Sequence, residues 1–108
     1  MNTEQSINPL VKAALDAMKN GDRLGWFALF AHDATLTDDG NPHEFRQWSD
    51  SELFGNDRGY LLSIDRIEDN GLTLYGKFHS DQWGEFETFM KFTVHGEKIT
   101  RLDVGQVN

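Results

Sequence analysis

The spacing of apolar residues changes character about half-way along the chain. Over residues 9–31 they recur at helical spacing, and from residue 60 onward they alternate. Leu10, Val11, Ala14, Leu15 and Met18 form one helical face behind Asn8-Pro9, where Asn caps and Pro occupies the first turn. Asn20-Gly21 ends that helix, and Asp22 caps a second, whose Leu24, Trp26, Phe27, Phe30 and Ala31 spread a wide apolar surface. So tight a turn predicts that the two helices pack together. Ala34–Thr37 reads as a short strand and Asp38-Asp39-Gly40 as a turn. Asn41-Pro42-His43-Glu44 repeats the cap-and-Pro opening and predicts a third helix, with Phe45 and Trp48 inward. Ser49-Asp50-Ser51-Glu52 is a second capping-box pattern, where that helix bends or restarts, and Gly55 and Asn56 close it.

The second half reads as strands. Tyr60–Glu68 is followed by Asp69-Asn70-Gly71, which contains the Asn-Gly hairpin signal. Leu72, Leu74 and Phe78 alternate with Thr73, Tyr75, Lys77 and His79, and Ser80–Gly84 is the next connection. Phe86, Thr88, Met90, Phe92 and Val94 share one face of a long strand, against Glu85, Glu87, Phe89, Lys91, Thr93 and His95 on the other. A turn at His95-Gly96-Glu97 leads to a last strand, Lys98–Val104. Helices first and a meander afterwards imply an α+β class, three N-terminal helices on an antiparallel sheet, with residues 1–108 as one domain. The helices cover one sheet face. The other, carrying Tyr75 and Phe89, is solvated or the seat of a homodimer, and Phe89 in an otherwise polar row favours the dimer.

Charge narrows the classes. Ten Lys and Arg against 18 Asp and Glu give a net charge of −8. That weighs strongly against a nucleic-acid module, which needs a basic stripe, and disfavours an anionic membrane surface. With no cysteine there is no disulfide, thiolate metal site or thiol nucleophile, which suits a cytoplasmic location. The start, Met1 to Ser6, is polar and lacks the apolar core of a signal peptide, and the apolar run around Trp26–Ala31 is too short to span a bilayer. His32, His43, His79 and His95 lack metal-ligand spacing, and neither a phosphate-binding glycine loop nor a serine elbow is present, so no metal or cofactor is expected.

The order helix, Asn-Gly-Asp turn, aromatic helix, then Leu29–Gly40 (LFAHDATLTDDG), with Gly96–Gln106 (GEKITRLDVGQ) as the last hairpin, resembles the NTF2-like (SnoaL-like) family over nearly the whole chain. The resemblance implies a cone-shaped, cystatin-like fold closing over an apolar pocket. It does not fix an activity, because the family includes ketosteroid isomerases, polyketide cyclases, dehydratases and proteins that only bind. It places Asp38 where the isomerases present a general base, and Asp103 where cyclase relatives carry an acid. It also puts Ala14 where an isomerase needs a tyrosine donor, and Glu85 near the second acid but alternating with Phe86.

The expected ligand is a small apolar or weakly polar organic molecule. Trp26, Phe30, Trp48, Tyr60, Phe78 and Phe86 are the candidate walls, although most such rings simply fill cores. Asp38 and Asp103 are the candidate bases, and His43 or Tyr60 the candidate donor. Each has a plainer reading: Asp38 as a turn former, Asp103 as an ion-pair partner of Arg101, and His43 as a surface side chain. Residue order leaves open whether the protein binds only, or acts as a lyase or isomerase.

Overall fold

The computed structural model describes residues 6–107; the polar start at Met1–Gln5 lies outside them. Helices α1 (Pro9–Asn20) and α2 (Arg23–Ala28) come first. Strands β1 (Phe30–Asp38) and β2 (Asn41–His43) follow, then helix α3 (Phe45–Glu52). Strands β3 (Gly59–Glu68), β4 (Thr73–Ser80), β5 (Gly84–His95) and β6 (Lys98–Gln106) complete the chain, with a short 3-10 turn at Asp69–Gly71. They form one six-stranded sheet in the order β2-β1-β6-β5-β4-β3. The class is α+β, as the pattern implies. The sheet is mixed, however: β1 runs parallel to β6, while every other pair is antiparallel. Alternation along a strand carries no information about its neighbour's direction. Among the described residues no helix is long and apolar enough to cross a membrane.

Local chemistry sets the first elements. Asn8 Oδ1 accepts from Leu10 N (2.8 Å) and Val11 N (3.4 Å), Pro9 opens α1, and Gly21 closes it at φ 70°. Asp22 caps α2 by accepting from Gly25 N at 2.9 Å. Helix α2 stops at Ala28, short of the predicted end, because Phe30 already pairs with Ile99 of β6. β1 is correspondingly longer than Ala34–Thr37. Asn41-Pro42-His43 is likewise an edge strand instead of a helix start. Pro is tolerated there because its missing N–H faces no partner strand. Glu44 itself then caps α3, accepting from Gln47 N (2.8 Å) and Arg46 N (3.1 Å). The helix runs unbroken through Ser49-Asp50-Ser51-Glu52, where Ser49 is fully buried.

The core lies between the helices and one sheet face. Val11, Ala14 and Met18 of α1, Trp26 of α2, and Leu36, Leu74, Met90, Phe92 and Leu102 of the sheet are essentially inaccessible. Arg58 ties three parts together. Its guanidinium donates to the carbonyls of Leu53 (2.9 Å), Met18 (2.7 Å) and Lys19 (3.2 Å), and its backbone N–H to Asp81 (2.8 Å). It thereby caps the carbonyl end of α1, where a cation is favoured.

Candidate functional site

Asp39 and Gly40 join β1 to β2 as a two-residue hairpin, both at positive φ (51° and 83°), as a type I′ turn requires. The hairpin is pinned to the end of β6: Asp39 N donates to Val104 O, and Asp39 Oδ1 accepts from Gln106 N, each at 2.9 Å. Asp38, the last residue of β1, pairs with Val104 and has the strand parity of buried Leu36, so it takes the helix-bearing face. There Trp48 Nε1 donates to Asp38 Oδ2 at 3.0 Å. Among the described residues no protein group donates to the other oxygen.

A cavity of about 660 Å³ opens beside this pair, between β2 and α3 on one side and the ends of β4, β5 and β6 on the other. That size suits a small organic molecule. Trp48, Phe78, Phe86, Met90 and Val104 supply its apolar wall, with the Phe78 and Phe86 rings 5.7 Å apart. Asp38 and His43 line one end. Glu52 and Trp83 line the rim, joined by a hydrogen bond from Trp83 Nε1 to Glu52 Oε1 at 3.4 Å. Buried Ser80 also lines the cavity, its Oγ accepting from Gln82 N (3.1 Å) and Trp83 N (3.0 Å).

Five of the nine residues singled out from the sequence meet at this cavity: Asp38, His43, Trp48, Phe78 and Phe86. The other four do not line it. Trp26 and Phe30 are core, their rings 4.8 Å apart, and the Trp26 indole donates to Ser49 Oγ at 3.1 Å. Tyr60 packs instead beside His79, 5.2 Å between centroids, and under Arg58. Asp103 sits on the opposite sheet face. Its carboxylate takes a hydrogen bond from Thr37 Oγ1 at 2.5 Å, and the Arg101 guanidinium approaches to 3.0 Å. Burial pushes the Asp103 pKa up, but these hydrogen bonds outweigh it and hold it below the usual carboxylate value. Ala14 is buried in the core and offers no donor where an isomerase would need one.

Trp83, Glu52, Ser80 and Asp39 belong to the cavity and escape the sequence reading. A tryptophan in a polar connection, here 69% exposed, is the one signal that marks them. Glu85 also reaches the rim, although its ring neighbour across the ladder, His79, holds it at 3.5 Å. Asp81 at 2.8 Å from His79, with Glu85 behind it, raises the imidazole pKa. Among the described residues no group of three or more His, Asp or Glu side chains is arranged to hold a metal ion.

No family model and no curated protein matches the sequence. Solved structures do. An NTF2-like protein of unknown function from Cytophaga hutchinsonii superposes with a TM-score of 0.68 at 11% identity, covering 96% of this chain and 92% of that one. A computationally designed 17-OHP binder gives 0.73 at 18% identity, covering 98% and 93%. A Mycobacterium tuberculosis protein in complex with estradiol-17beta-hemisuccinate gives 0.69 at 16% identity, covering 88% of each chain. At such identities the likeness is one of fold.

Proposed function

The chain has the NTF2-like fold, and on that scaffold we propose that it binds a small organic molecule in the cavity beside Asp38. The observation that carries this reading is the Asp38–Trp48 pair. The indole fixes one carboxylate oxygen and leaves the other available at the end of a wall formed by Phe78, Phe86 and Met90. An apolar wall with one oriented polar group is the usual composition of a ligand site. One structure of the same fold is a complex with estradiol-17beta-hemisuccinate and another is a designed 17-OHP binder, which supports the reading. Native mass spectrometry of freshly purified protein, with a thermal-shift screen of acids, ketones and amines, tests it. A co-purifying mass or a reproducible rise in Tm is expected. A clean apo mass with no shift across the screen overturns it.

A second reading uses the same carboxylate as a general base of a lyase or isomerase, with His43 in the cavity as the donor. It is favoured by the free Asp38 oxygen. Turnover abolished in Asp38→Asn would support it, and full turnover in that variant would remove it. We also propose a homodimer through the outer sheet face, where Tyr75 and Phe89 pair across β4 and β5. Phe89→Arg should then shift the sedimentation coefficient to that of a monomer; a wild-type monomer would exclude the dimer.

A further inference from the structure

We infer that the ligand of this cavity is an organic cation: an amine with a flat apolar body. This rests on the binding role proposed above and adds the charge of what is bound. Four carboxylates line the cavity, Asp38, Asp39, Glu52 and Glu85, and among the described residues no Lys or Arg does. Elsewhere among the described residues, four acids are each paired with a Lys or Arg. Asp16 has Lys12, Asp50 has Arg23, Glu68 has Arg66 and Asp103 has Arg101. The cavity acids instead take neutral or imidazole partners: the Trp48 indole for Asp38, the Gln106 amide for Asp39, the Trp83 indole for Glu52 and His79 for Glu85. A cleft lined by one sign of charge with low-dielectric walls focuses the field and concentrates the opposite charge.

Apolar and aromatic walls set this cleft apart from a solvated acidic rim. The Trp48 and Trp83 rings lie among the carboxylates, and indole faces attract ammonium groups. An anionic ligand of the same shape would enter against four negative charges with no fixed cation to receive it.

The test is calorimetric titration of the full chain with three matched probes: naphthylmethylamine, naphthylmethanol and naphthylacetate, respectively cation, neutral and anion. The amine is expected to bind about tenfold tighter than the alcohol, with the acetate weakest and the preference shrinking as salt is added. In the double variant Asp38→Asn, Glu52→Gln, its fold checked by circular dichroism and Tm, the preference for the amine over the alcohol should vanish, and a preference that persists overturns the assignment. If the alcohol or the acetate binds wild type as well as the amine does, the cation assignment is wrong and the binding role stands. If none of the three binds, both fall.

Discussion

Asp38 and Asp103 sit one register step apart on paired strands, yet on opposite faces of the sheet. Asp38 lies opposite Val104, over the cavity, with one indole as its partner. Asp103 lies opposite Thr37, on the outer face, clasped by Thr37 and Arg101. The same side chain in the same strand pair thus becomes an available oxygen on one face and a saturated ion pair on the other. What decides between them is whether the neighbouring positions supply donors. On the outer face Thr37 and Arg101 do, with the Lys91 charge nearby; on the inner face the neighbours are largely apolar.

Three substitutions break this contrast in order of size. Trp48→Ala removes a buried ring and, among the described residues, the only side-chain donor to Asp38, so it should cost about 3–5 kcal/mol of stability by chemical denaturation and abolish ligand binding. Asp103→Asn loses charge-assisted hydrogen bonds in a partly buried site, and a loss of about 1–2 kcal/mol is expected, with probe affinity unchanged. Asp38→Asn keeps an acceptor for the Trp48 indole. Stability should stay within about 0.5 kcal/mol of wild type, while affinity for naphthylmethylamine falls about tenfold. If the two aspartates exchanged these phenotypes, the assignment of faces would be wrong.

The two faces also meet at one residue. Gly105 pairs with Phe89, and a Cβ built on it would lie 2.6 Å from the Phe89 ring and 2.9 Å from Asp39 Oδ1. The aromatic that interrupts the polar outer row therefore covers a glycine in the neighbouring strand. That packing alone does not require a second molecule. Gly105→Ala should push Asp39 away from the Gln106 N–H and weaken naphthylmethylamine binding by a few-fold in the same titration, with a smaller loss of stability than Trp48→Ala.

Much of this arrangement is legible in residue order. The caps at Asn8 and Asp22, the Asp-Gly turn and the alternation of β5 place the elements and put Asp38 at the β1 turn, but not its contact with Trp48. The face of Asp103 is not legible, because by simple alternation it shares the parity of Ile99, which is wholly buried. A bulge resolves it: Val94 pairs with Ile99 and Thr93 with Arg101, so Thr100 is an extra residue and every later side chain in β6 changes face. Asn41-Pro42 misleads for a different reason. Its local chemistry suits a helix start as well as an edge strand, and only the pairing with β1 chooses. Trp83 and Glu52 come from a turn and a helix end that no periodicity connects.

The smallest expected effect lies at the end of β4, where His79 pairs with Asp81 and Glu85, and its pH dependence is opposite in sign to that of Asp103. The folded-state pKa of His79 is raised, chiefly by the hydrogen bond to Asp81. A raised pKa means that the charged imidazole is favoured by folding. Its contribution is full below the unfolded value, about 6.5, and is lost as pH rises through the higher folded value. Asp103 has the opposite sign: its folded pKa is lowered, so its contribution is present above the ordinary carboxylate value and is lost as pH falls through the folded one. The stability difference between wild type and His79→Gln should therefore shrink on the alkaline side, and that between wild type and Asp103→Asn on the acid side. Urea midpoints across that pH range measure both. A His79→Gln difference that stayed constant from acid to alkaline pH would mean that its ion pairs make no contribution to folding.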